Sequence, residues 1–347
     1  MTTFRIETVK PGWVRSARRL ATSAACVAII LGGLTAAGAS PASAAARPTW
    51  TKLVPATNPS ARRADEMAYD QATGQLILFG GSDATGILNQ TWTWNGTTWT
   101  ELFPATSPPA RDQASMAYDP GTGQLILFGG DGAGGLLNDT WSWDGTTWTE
   151  LFPATSPPVR WTAAMAYDLG TGQLVLYGGT SGPFDLFDTW VWNGTNWKEA
   201  ATTAPGEGYF SDSMAFDPGT GQLVLFGGGT DSGARNETQI WNGSAWTLLS
   251  PATSPRPRWA ATMDFDPATG QLVLFGGQKS AHILNDTWNW NGTTWTRLSV
   301  PAASRPPARS VAAMAYDPGT AQMILFGGGS KTGELGDTWN WAVPGTA

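Results

Sequence analysis

The chain has one cysteine and one histidine in 347 residues. Cys26 falls in an N-terminal segment that reads as an export signal, so the mature chain has no cysteine. That absence excludes disulfides, a thiolate nucleophile and a thiolate-bound metal. His282 stands alone in a loop and reads as a solvated surface residue, not a ligand or general base. Any acid–base chemistry would fall to carboxylates. A helical pattern is missing from the repeated part of the chain, which leaves strands as the building material.

Residues 1–44 are expected to be a signal peptide. Arg15, Arg18 and Arg19 form its basic region, Leu20 to Ala37 its apolar run, and Ala42-Ser43-Ala44 its cleavage site. Gly32 and Gly33 interrupt the run and Gly38 follows its end, which argues against a membrane anchor. Ser23 stands where a lipoprotein signal needs a large aliphatic residue. The general and twin-arginine routes both stay open. Of 20 basic and 27 acidic residues, five and one lie in this segment, so 15 and 26 remain, a balance of −11. A field of that sign disfavours nucleic acid and anionic membranes. The expectation is a secreted, extracellular monomer with neither partner.

Repetition fills the rest. Paired glycines close an apolar run at Phe79-Gly80-Gly81, Phe128-Gly129-Gly130, Tyr177-Gly178-Gly179, Phe226-Gly227-Gly228, Phe275-Gly276-Gly277 and Phe326-Gly327-Gly328. Four steps are 49 residues and the last is 51. In the second unit, Gln113 to Tyr118 reads as a first strand and Gln124 to Gly130 as an apolar second. Thr140 to Trp143 reads as a third, and Thr146 to Leu151 as a fourth after a two-residue Asp144-Gly145 turn. A period of this length with strand chemistry predicts an all-β fold: a six-bladed β-propeller of four-stranded antiparallel blades over 48–342. The sixth unit lacks a fourth strand, and Pro48 to Leu53 resembles Thr98 to Leu102, so the N-terminal strand is expected to complete the last blade.

Nineteen tryptophans follow the leader, and 17 recur at equivalent places, which marks them as packing residues. Trp161 and Trp259 do not. They belong to a variable position, Arg63, Asp112, Trp161, Phe210, Trp259 and Ser310, that follows a recurrent Arg62, Arg111, Arg160, Arg258 and Arg309. The fourth unit has Tyr209 in place of the arginine. Up-and-down topology brings these residues and the variable loops after the paired glycines to one end of the ring, with the short turns at the other. Function tends to sit on such loops. Trp161, Phe210 and Trp259 are therefore expected to form an aromatic arc at the channel mouth.

With the Gly-Gly strand, the loop after it and spaced aromatics such as Trp94 and Trp99, the chain resembles the kelch-repeat β-propellers. It departs from their pattern where tryptophan replaces the usual tyrosine and the aromatic spacing shortens. The resemblance implies a range from copper-radical sugar oxidases and sialic-acid epimerases to binding proteins. The first lack their cysteine and histidines here. The sialidase box is absent too, since Ser142 to Trp148 has the wrong spacing. The expected function is binding of a protein or carbohydrate at the loop-rich face by Arg62, Arg63, Arg111, Arg160, Trp161, Tyr209, Phe210, Arg258, Trp259 and Arg309. No catalytic residue, metal or cofactor is expected. Two alternatives stand beside it: a carbohydrate-active enzyme using Asp65, Glu66 and Asp212 in channel-lining first strands, and a purely structural envelope protein.

Overall fold

The computed structural model describes residues 47–201, 210–230 and 232–344. The expected signal segment and Tyr209 lie outside the described residues. Six four-stranded antiparallel sheets form the blades. In blade one the strands are Glu66–Asp70, Gln75–Phe79, Thr91–Trp94 and Trp99–Leu102, and the others repeat this order. The innermost strands of blades two to six are Ser115–Asp119, Ala164–Asp168, Ser213–Asp217, Thr262–Asp266 and Ala313–Asp317. The two extra residues before blade six are accommodated beside a single 3₁₀ turn, Ala302–Ser304.

Turn chemistry explains the tight end of the ring. Asp70 accepts hydrogen bonds from the Ala72 amide and the Thr73 hydroxyl, and Gly74 takes φ of +72°. The Asn-Gly connections differ from the expected two-residue hairpin. Trp94 pairs with Trp99, so Asn95 to Thr98 make a four-residue loop. Only Gly96 has positive φ there, at +94°. Asn95 Oδ1 instead caps the loop by accepting from the amides of Thr97 and Thr98. A type I′ turn needs both central residues at positive φ, so this side-chain cap displaces it.

Thr49–Leu53 pairs antiparallel with Thr338–Ala342, from Thr49↔Ala342 to Leu53↔Thr338. The N-terminal strand thus supplies the fourth strand of the sixth blade, as expected. Blade-to-blade packing then runs round the ring without a seam. The fourth-strand tryptophan of each blade stacks on the second-strand aromatic of the preceding blade: Trp148 on Phe79 at 5.1 Å, Trp50 on Phe275 at 5.1 Å, Trp99 on Phe326 at 5.4 Å. The same indoles donate to third-strand threonines of that blade, Trp148 to Thr91, Trp50 to Thr287 and Trp99 to Thr338. The Trp99 contacts join blade one to blade six. Sixteen of the 17 repeated tryptophans are buried and Trp288 is half-buried, which fits their packing role.

The paired glycines mark where one blade meets the next. Gly129 has φ of +65°, and a Cβ there would lie 2.7 Å from the Arg160 carbonyl oxygen of blade three. Gly130 donates its amide to that same oxygen at 2.9 Å. Glycine is required by close backbone approach and by conformation together.

Candidate functional site: the channel and its mouth

Short hairpins crown the loop-rich end, for example Asp131–Gly132 with Gly135–Leu136. The variable position joins this rim as an added strand: Arg63 bridges Ser82, Trp161 bridges Thr180, Phe210 bridges Gly229 and Trp259 bridges Gln278. The next residue in every blade adopts a left-handed backbone. These are Ala64, Gln113, Thr162, Ser211, Ala260 and Val311, with φ between +48° and +57°. Each donates its amide to the carbonyl of its counterpart in the neighbouring blade, at 2.6–3.0 Å, from Gln113 to Ala64 round to Ala64 to Val311. The result is a closed six-membered iris of backbone hydrogen bonds. Left-handed geometry at β-branched Thr162 and Val311 costs about 1–2 kcal/mol each, and the ring of bonds holds it in place.

Above the iris lies a mouth cavity of about 490 Å³. Trp161, Phe210 and Trp259 line it from consecutive blades, with the Phe210 and Trp259 rings 6.5 Å apart. The expected aromatic arc is therefore present. Phe210 lies over Gly229, where a Cβ would meet its ring at 2.6 Å. Arg63 lines the opposite side, its guanidinium 3.8 Å from Glu334. The indole N–H of Trp161 and the hydroxyl of Thr162 are shielded and have no hydrogen-bond partner. Gln113, Asp185, Gln278 and Ser310 also reach the cavity. Sequence reasoning flagged position 310 and the variable loops that hold Asp185 and Gln278, but missed Gln113, because a residue beside a variable position carries no repeat signal of its own.

The recurrent arginines do not belong to this surface. Arg62, Arg111, Arg160, Arg258 and Arg309 are at most 1% exposed. Arg111 donates to the Pro109 and Gly129 carbonyls and grips Asp139 through both terminal nitrogens, at 2.6 and 2.7 Å. Trp141 donates to the same carboxylate. Burial works to raise the Asp139 pKa, but the Arg111 hydrogen bonds and charge outweigh it and hold the carboxyl below its ordinary range. Arg160–Asp188–Trp190, Arg258–Asp286–Trp288 and Arg309–Asp337–Trp339 repeat the clasp. Arg62 bonds Ser60, the Gly80 carbonyl and Gln90 instead. With their donors committed inside the blades, these five arginines are corrected from ligand contacts to framework. In blade four the corresponding residues are Tyr209, Glu237 and Gln239, so all three partners of the clasp change together.

Below the iris the channel encloses about 520 Å³, lined by the innermost strands. Four acids, Asp65, Glu66, Asp212 and Asp264, line it, and no lysine, arginine or histidine does among the described residues. Asp65 and Asp212 lie one residue before the innermost strands, not within them, because the iris residues delay the strand start. Both carboxyls are shut off from solvent and lack any hydrogen-bond partner. Burial pushes Asp65 up to about 7 despite nearby Arg62, and burial pushes Asp212 well above its ordinary value. Burial and then Asp65 do the same to Glu66. Asp264, where the other blades have alanine, accepts the Phe265 and Tyr316 amides at 2.7 Å each. Burial nevertheless lifts its pKa to about 6.

A carboxyl with a raised folded-state pKa binds more protons folded than unfolded. Its contribution is therefore most favourable at low pH and is lost as pH climbs above the ordinary carboxylate value. Asp212→Asn is accordingly expected to be more stable than the parent at pH 8, with the gap closing toward pH 4. Urea denaturation at the two pH values measures it. An equal gap at both would show that Asp212 is not held in this way.

A family model described as the KLHDC2/KLHL20/DRC7 Kelch-repeats domain matches residues 28–208, just over half of the chain. Among solved structures, the one titled "Structure of YjhT" is similar with a TM-score of 0.62 and 15% identity, over 82% of this chain and 95% of that one. At that identity the likeness concerns the fold. No curated protein matches.

Proposed function

Because this chain belongs to the kelch-repeat family, whose propellers are generally protein-interaction modules, we propose that it is an exported monomeric binding module. It holds a protein loop or a carbohydrate in the mouth above the iris. The observation that supports this most is where repetition stops. Blade bodies and short turns are near copies, whereas Arg63, Trp161, Phe210 and Trp259 differ from blade to blade and converge on one cavity of about 490 Å³. Broad, rigid aromatic faces suit sugar rings and loop side chains alike. The Trp161 N–H and Thr162 hydroxyl lie beside them and are free to donate to a ligand. An open mouth and channel do not suit a purely architectural role. The shielding of Asp65 and Asp212 does not favour an enzymatic one.

The double variant Trp161→Ala, Trp259→Ala tests the reading. It is expected to lose at least about tenfold in binding on glycan arrays and in pull-downs with purified candidates, while thermal stability changes little. Binding profiles identical to the parent would remove the mouth as the site.

A further inference from the structure

Two independent features bear on what the mouth accepts. The first is the aromatic arc, whose ring faces attract cations. The second is the acidity directly beneath it. Asp65 and Asp212 follow their iris residues immediately and Glu66 comes next, about 3 and 7 Å along an extended chain. Those distances lie within the screening length of about 8 Å at physiological salt. No base lines the channel among the described residues, although the Arg62 charge acts on Asp65. Arg63, the one base lining the mouth among the described residues, lies 3.8 Å from Glu334. The mature chain adds a general negative field, 15 basic against 26 acidic residues.

We propose that the mouth accepts the lysine or arginine side chain of a basic protein loop, its stem against Trp161, Phe210 and Trp259 and its charged end directed at the iris above the acidic channel. The proposal rests on the mouth being a binding site. It adds the charge of the ligand, which opposes the neutral glycan that the aromatic arc alone would equally fit. At pH 8 Asp65 and Asp264 are ionised, with pKa values of about 7 and 6; Arg62 offsets Asp65 in part, and Asp264 faces no base in the channel among the described residues.

The test uses the mature chain carrying 5-fluorotryptophan at pH 8, with the Trp161 and Trp259 resonances assigned from Trp161→Phe and Trp259→Phe. The probes are capped Gly-Gly-X-Gly-Gly peptides with X as lysine, norleucine or glutamate, and a neutral N-acetylglucosamine oligomer. The lysine peptide is expected to shift both resonances and to bind at least about tenfold more tightly than the other probes. Asp65→Asn with Asp264→Asn should weaken it severalfold while leaving the buried tryptophan resonances in place, which confirms folding. Equal or stronger shifts from norleucine, glutamate or the oligomer would overturn the cationic ligand and leave the mouth standing as a site. No lysine-dependent shift up to roughly 10 mM would also overturn it. The alanine variants tested against arrays then decide separately whether the mouth binds anything.

Discussion

Relative to a chain that starts at residue 45, one that starts at residue 54 is expected to melt more than about 10 °C lower and to be open to proteolysis. The deletion removes a complete strand from blade six and with it Trp50, which is 1% exposed. Trp50 touches Phe275 and Trp341 at 5.1 and 5.3 Å and donates to Thr287 of blade five. Its loss alone is worth about 3–5 kcal/mol, so Trp50→Ala should reproduce much of the effect. Lys52→Ala, at an exposed position of the same strand, should do little. Unaltered melting after the deletion would mean that the leading strand does not close the ring.

Breaking one arginine clasp should be nearly as damaging. Asp139→Leu leaves the Arg111 guanidinium, 0% exposed in its side chain, with no carboxylate. An uncompensated buried charge costs about 3–5 kcal/mol. Replacing both partners, Arg111→Met with Asp139→Leu, is expected to recover most of that, because an apolar pair leaves no charge stranded. Chemical denaturation of the three proteins measures the difference. A double variant no better than Asp139→Leu would show that the clasp's hydrogen bonds to Pro109 and Gly129 dominate over its charge pairing.

The repeat made the architecture legible before any coordinates. The six near-regularly spaced Gly-Gly pairs fix blade number, and the orphan strand around Trp50 fixes how the ring closes. The aromatic arc was legible for a different reason: Trp161, Phe210 and Trp259 break the repeat, and topology alone places them together. What the sequence concealed was three-dimensional pairing. Arg111 recurs because it clasps Asp139, which is 28 residues away and whose own recurrence drew no notice. A recurrent charge therefore looked like a ligand contact when burial had made it framework. The iris was invisible because alanine, glutamine, threonine, serine and valine share no chemistry. Only their common left-handed backbone unites them. Asp65 stood out because Asp212 holds the equivalent place three blades away, whereas Asp264 replaces alanine in one copy alone, and a single acid among six copies is a weak signal until the channel gathers it with the others.

The circular fold underlies every one of these expectations, and with Cys26, the one cysteine of the sequence, replaced by serine the chain allows a clean measurement of it. Thr49 and Ala342 lie opposite each other in the closing strand pair, both partly exposed. A Thr49→Cys, Ala342→Cys protein should form an intramolecular disulfide under mild oxidation, seen as a compact band on non-reducing gels, and should melt at a higher temperature than its reduced form. Two free thiols after oxidation, in a protein that is otherwise folded, would contradict the closed ring and the single mouth it creates.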